Sequence, residues 1–166
     1  MNLSTLSSTI TYRSMIAIIT SIAIFLTFII TMLAIYGIQP SVSAFYYCLP
    51  INRQFIFTAF CFFFPSPLLY LNDSIFIDIA VGCIAMIGAA AAYRGDELIS
   101  AIHKVCAVLA LIACQLSLVF DYCMPELSIL IISISAISYF LKIKNILLII
   151  EFINYIALIT TIILNL

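Results

Sequence analysis

Apolar residues fill this chain in runs of bilayer length, and connections of a few residues separate one run from the next. Crossing the hydrocarbon of a membrane takes about 20 residues. The runs therefore place spans at Met15 to Ile38, Gln54 to Leu71, Ile75 to Tyr93, Ile99 to Phe120, Leu127 to Leu141 and Ile146 to Leu166. The expected fold is all-α, a polytopic transmembrane helical bundle of six spans in a single domain over residues 1–166. The fifth run is the shortest, and a re-entrant or five-span arrangement is its alternative. The first follows a Ser/Thr-rich segment ending in Arg13, but it is too long for a signal-peptide core and lacks a small-residue cleavage site, so it is expected to stay as a helix.

Tyrosine favours the headgroup level because one end of its ring is apolar and the other needs water. Tyr12, Tyr36, Tyr46, Tyr47, Tyr70, Tyr93, Tyr122 and Tyr139 all flank a proposed span. Tyr155 does not, and needs an internal partner for its hydroxyl. Lys and Arg are retained on the cytoplasmic side of short loops. Arg53, Arg94, Lys104, Lys142 and Lys144 fall on loops one, three and five, and only Arg13 on the other side. Those loops are expected in the cytoplasm and both termini outside.

Packing has its own signs. Gly82, Ala85, Ala89 and Ala92 recur at three- and four-residue spacing, a smooth strip that predicts a central third helix. Pro65, Ser66 and Pro67 must kink the second span, leaving backbone groups that neighbouring hydroxyls or packing have to satisfy. Ser128, Ser135 and Ser138 share a face of the fifth span and predict helix-to-helix hydrogen bonds.

Composition narrows the chemistry. Hydrophobic residues make up 66% of the chain and charged ones 8%, with a net charge of −1, so a nucleic-acid or acidic partner is not expected. The six cysteines form no CxxC or Cys/His cluster and read as small hydrophobes, so neither a metal nor a cofactor is expected.

A charge in the hydrocarbon costs about 2.5 to 3.5 kcal/mol even on the lenient scale, which makes Asp78 and Glu151 pointers to function. Asp78 enters from the outer side, near Asp73. Glu151 enters from the cytoplasmic side, and its partner is expected among Arg53, Lys144, Asn154 and Tyr155. The only histidine, His103, shares a helix face with Asp96 and Ser100, while Glu97 and Lys104 share another. Three residues stacked along one helix do not make a triad, and no nucleophile elbow is present, so an interfacial cap and charge cluster is the plainer reading.

The first loop is the longest connection. Its Pro-Ser-Val-Ser-Ala-Phe-Tyr-Tyr, from Pro40, with Ile-Gly-Ala-Ala-Ala-Ala-Tyr-Arg-Gly-Asp-Glu-Leu, from Ile87, and the Ala-Ile-His-Lys around His103, resembles a family of small uncharacterised six-span integral membrane proteins of gut bacteria and their phages. The resemblance covers about residues 39 to 120. It implies six spans and marks the first loop and the His103 region as shared features, without implying an activity. The leading expectation is a non-enzymatic bundle of the bacterial cytoplasmic membrane. Ser41, Ser43, Tyr46, Tyr47, Arg53, Asp96, His103 and Glu151 would form a cytoplasmic-side pocket for a membrane lipid headgroup, a small ligand, or a protein partner or second copy. The alternatives are a small transporter or channel using Glu151, Asp78 and His103 as a polar route, and an intramembrane hydrolase using His103.

Overall fold

The computed structural model describes residues 3–70 and 74–164, with side chains described for 14–69 and 74–163. Asp73 and the side chains of Tyr12, Arg13 and Tyr70 lie outside the described residues, and with them the roles expected of those groups. Among the described residues there is no strand. Six α-helices follow in order: α1 Leu3–Tyr36, α2 Phe55–Phe63, α3 Ile75–Ala89, α4 Glu97–Phe120, α5 Pro125–Phe140 and α6 Ile146–Leu164. Short 3-10 helices at Val42–Cys48, called here the loop helix, Ile51–Arg53 and Ser66–Tyr70 fill the connections around α2.

Helix ends follow local chemistry. Gly37, at φ 69°, ends α1 and turns its N–H back to the Leu33 carbonyl at 3.0 Å, a left-handed cap that glycine adopts without strain. Ser74 caps α3 by accepting the Ile77 N–H at 3.3 Å, and Asp96 caps α4 by accepting that of Ile99 at 2.9 Å. The Ser74 hydroxyl also donates to Asp121, tying the start of α3 to the end of α4. Pro125 opens α5, where its missing N–H costs nothing.

Three helices are long and apolar enough to cross a membrane: Ser14–Tyr36 of α1, Glu97–Phe120 and Ile146–Ile163. That is the mark of a membrane protein, and the surface agrees, with Ile30, Ile35, Ile51 and Phe140 each more than 60% exposed. With 15 and 16 residues, α3 and α5 reach about 22 to 24 Å. The second run forms the shortest helix, rather than the fifth as the apolar count implies. Pro65 and Pro67 stop α2 after nine residues and a 3-10 turn carries the chain onward. The break frees carbonyls that hydroxyls then cover, as expected from the sequence: Ser66 donates to the Phe63 carbonyl at 3.1 Å, and Ser21 of α1 to the Phe64 carbonyl at 2.6 Å. With its own proton committed there, Ser21 accepts the Tyr155 hydroxyl at 2.9 Å, which supplies the internal partner that Tyr155 needs.

The core has an aromatic half and an aliphatic half. Phe25, Phe28, Phe45, Phe57, Phe60 and Phe64 join α1, α2 and the loop helix, with Phe28 and Phe60 stacked at 3.9 Å. Ile18, Leu68, Ile77, Val81, Leu158 and Ile162 fill the opposite end. The most extensive packing is between α3 and α4, and α2 also packs on α3, but α1, α5 and α6 make no comparable contact with α3, so α3 is not the centre expected of it. The small-residue strip does not make its contacts either. Gly82, Ala89 and Ala92 are exposed and nothing lies within 4 Å of a Cβ built on Gly82. The close approach is at Gly88, where an added Cβ would lie 2.6 Å from the Cys61 Cβ and 3.2 Å from the Thr58 carbonyl. Thr58 then reaches the Gly88 carbonyl at 3.1 Å, covering a group in the last turn of α3. Regular small-residue spacing was a misleading guide because the neighbour packs on a face one residue round the helix.

Gly88→Ala is expected to lower stability by about 1 to 3 kcal/mol through overpacking against α2, while Gly82→Ala, gaining helix propensity, is neutral or stabilising. Thermal unfolding of both variants in the same detergent measures the difference, and equal midpoints would remove Gly88 as the contact that sets the α2–α3 distance.

Candidate functional site

Where α1 ends, the chain turns inward instead of crossing the surface. Ser41 accepts the Ala44 N–H at 3.2 Å and its hydroxyl lies 3.0 Å from that of Ser43, which starts the loop helix. Phe45, fully buried, pins that helix against Phe28. Two bonds fasten it to α6: the Val42 N–H donates to the Glu151 carboxylate at 2.6 Å, and the Leu148 N–H donates to the Pro40 carbonyl at 3.1 Å. Each element thus satisfies an end group of the other, since the first N–H groups of a helix have no partner within it.

This arrangement corrects the partner expected for Glu151. It is a backbone N–H, not Arg53, Lys144, Asn154 or Tyr155. Asn154 is held elsewhere, in a chain running from the Ser128 hydroxyl to the Gln115 carbonyl oxygen at 2.6 Å, from the Gln115 amide to Asn154, and from Asn154 to the Ile150 carbonyl at 2.8 Å. Of the three serines expected to make helix-to-helix bonds from the fifth span, Ser128 does so, while Ser135 and Ser138 make none among the described residues. The centre of the chain, Gln115, was not singled out from sequence. The available signal was that it is the one amide inside the fourth apolar run, a position that demands a partner on another helix.

His103 stands on α4 opposite the end of α3. Its Nδ1 lies 3.1 Å from the Ala90 carbonyl, the cap position of α3, and its ring packs 4.2 Å from that of Tyr93. From there an aromatic chain runs through Tyr47 and Tyr46 to Phe57, with centroid separations of 5.1, 5.1 and 6.0 Å. Arg94 covers the middle of this chain, its guanidinium 4.1 Å from the Tyr47 ring centre and its backbone N–H donating to the Tyr47 hydroxyl at 2.6 Å. Burial raises the Tyr47 phenol above its ordinary range, with the Arg94 N–H bond pulling the other way.

Between the loop helix, α2, α3, α4 and α6 lies an interior cavity of about 130 Å³. Its walls are apolar, among them Phe57, Phe60, Cys61, Ala110 and Leu158, and its polar lining includes Ser43, His103 and Glu151 at the loop-helix end with Asn154 and Tyr155 below. Of the residues expected to form one pocket, Ser43, His103 and Glu151 meet here, with Ser41 behind Ser43 and Tyr46 and Tyr47 on the same short helix. Arg53 does not join them: it is exposed and lines a separate groove between α1 and α2. Asp96 is spent as the exposed cap of α4, and Asp78 is exposed one turn into α3, outside the cavity lining. Asp96, Ser100 and His103 do not converge, because the first turns to Ile99 and the last to Ala90. Among the described residues, no three His, Cys, Asp or Glu side chains are placed to hold a metal ion. No family model, curated protein or solved structure matches the chain.

Glu151→Leu leaves the Val42 N–H without an acceptor, at a cost of about 1 to 3 kcal/mol, whereas Glu151→Gln keeps a carbonyl oxygen for it. Hydrogen exchange at the Val42 amide is expected to accelerate in Glu151→Leu and to change little in Glu151→Gln. Equal protection in all three proteins would show that the clasp does not hold the loop helix.

Proposed function

We propose that the chain is a non-enzymatic, six-span protein of the bacterial cytoplasmic membrane that binds a small amphiphile in its interior cavity. The observation that carries this reading is the shape of the chemistry in the cavity: a long apolar wall ending on Ser43, His103 and Glu151. Glu151 takes the Val42 N–H through one oxygen and also lines the cavity, so the ligand of this proposal presents a donor to the carboxyl and an apolar body toward Phe60 and Ala110. Volume sets its size. A cavity of roughly 150 Å³ holds a benzene ring, so about 130 Å³ takes one ring or a short chain, not a whole lipid. Pockets for larger molecules run to about 300 Å³ and above.

Binding is favoured over transport because Asp78 stands apart from the cavity, which leaves Glu151 as the one acid in its described lining. Hydrolysis loses its support with the divergence of Asp96, Ser100 and His103. The six-span topology draws on the short apolar helices α3 and α5 and on the broken second run, each flanked by interfacial tyrosine. It also draws on the resemblance of residues 39 to 120 to the six-span family. Loops one, three and five are placed in the cytoplasm and the termini outside, from the distribution of Lys and Arg.

Phenol, a ring with one donor, is the direct probe. In detergent-solubilised protein, fluorine NMR is expected to show a fluorophenol bound roughly tenfold more tightly than the matching fluorotoluene, the worth of one net hydrogen bond. Glu151→Gln, which turns a donor toward the cavity, is expected to erase that preference, and Ala110→Phe to abolish binding of both. Binding that survives Ala110→Phe would sink the interior site.

Orientation is tested separately by labelling intact cells with a membrane-impermeant thiol reagent. Cys123, exposed in the fourth loop, is expected to react, while a cysteine placed by Arg53→Cys in the first loop is not. The reverse pattern overturns the placement of the loops.

A further inference from the structure

A second hollow opens on the outer face of the bundle. It has a volume of about 730 Å³ and lies between α1 and α2, floored by Phe28, Met32 and Phe60 and flanked by Ile35 and Phe63, each 64% exposed. Along α1 it runs from Ala23 to Tyr36, roughly 18 to 20 Å at 1.5 Å per residue. That is about the depth of one leaflet with its headgroup region, half of a bilayer about 40 Å thick. Arg53 stands at the end where α1 finishes and α2 begins, and it is the one charged residue in the described lining. It is exposed, and no described carboxylate makes an ion pair with it. Tyr36 lies at the same end, where an amphipathic ring marks headgroup depth.

We propose that this groove is a binding site for an anionic glycerophospholipid, with one acyl chain lying between α1 and α2 and the phosphate held by Arg53. Length, volume and charge each select this occupant. The groove is as deep as the leaflet that supplies the chain, and it is several times the volume of the interior cavity. A guanidinium is always charged and offers a planar fork of donors that matches phosphate oxygens. An apolar peptide or a second copy of the chain would leave that cation without a partner at the membrane surface. The site rests on the membrane setting proposed above, but not on the interior ligand, and it uses none of Ser43, His103 or Glu151.

The chain contains no tryptophan, so a single Ile35→Trp substitution at the groove rim reports contact with lipid through quenching by brominated chains. The protein is reconstituted in phosphatidylcholine vesicles containing either brominated phosphatidylglycerol or brominated phosphatidylcholine. Half-maximal quenching is expected at an about fivefold lower mole fraction of the anionic lipid, the weight of one basic residue at an anionic membrane surface. Arg53→Gln is expected to bring the ratio close to one and Arg53→Lys to keep most of it. Lys104→Gln, which removes a cation from α4, is expected to leave it unchanged. Ala59→Phe, which fills the groove, is expected to reduce quenching by both lipids. Equal quenching by the two lipids, a preference that survives Arg53→Gln, or one that falls as far with Lys104→Gln would overturn the site. Phenol binding in the Arg53→Gln protein is expected to be intact, so failure of this site and failure of the interior site are read separately.

Discussion

In an apolar solvent a backbone group freed from its helix has no water to turn to, and each one left unpaired costs several kcal/mol. That constraint organises this molecule. The chain breaks its helices in awkward places, at the Pro65 to Pro67 kink, at the end of α3 and at the inward turn after α1. At each break a side chain from another helix arrives: Ser21 at the Phe64 carbonyl, Thr58 at the Gly88 carbonyl, His103 at the Ala90 carbonyl and Glu151 at the Val42 N–H. Ser21, Thr58, His103 and Glu151 are thus tied to the backbone of other elements, and of these His103 and Glu151 also line the cavity, so a ligand there meets groups already held in place.

Much of the architecture could be read from the residues because it follows from composition. Runs of apolar residues, prolines inside one of them and the cap at Asp96 act locally, and each run yields an α-helix, although the second, read as one span from Gln54 to Leu71, breaks into α2 and a 3-10 turn. The need for partners was legible too, for Tyr155 and for the kinked second run. What escaped was the identity of the partners. Glu151 was matched to side chains near in sequence or opposite in charge, whereas its acceptor role goes to a backbone group that becomes available only because the first loop folds inward. A sequence pattern shows side chains and hides orphaned N–H groups. The small-residue strip misled for a related reason, since periodicity identifies a smooth face without saying what lies opposite. Gly88, outside the strip, carries the contact because Cys61 and Thr58 happen to arrive there.

The candidate pocket separated into two places for a geometric reason. In the linear sequence Arg53 is close to Ser43 and Tyr47, but the 3-10 helix at Ile51–Arg53 directs it to the outer face of α2, while the loop helix turns into the bundle. Phe60 lines both hollows. It is held by stacking on Phe28 and Phe64 at 3.9 and 4.6 Å. The two hollows therefore share one aromatic ring, and that ring is braced by two others.

The clasp between Pro40, Val42, Leu148 and Glu151 also bears on biogenesis. It joins segments separated by more than a hundred residues, and a chain enters the membrane from its N-terminal end as it is synthesised. The first loop therefore meets the membrane long before its partner exists. While α2 to α5 are being made the Val42 N–H has no Glu151 to bind, and the loop helix gains its fastening to α6 only when α6 is present. Closing so long a separation last makes the final helix the step that completes the fold.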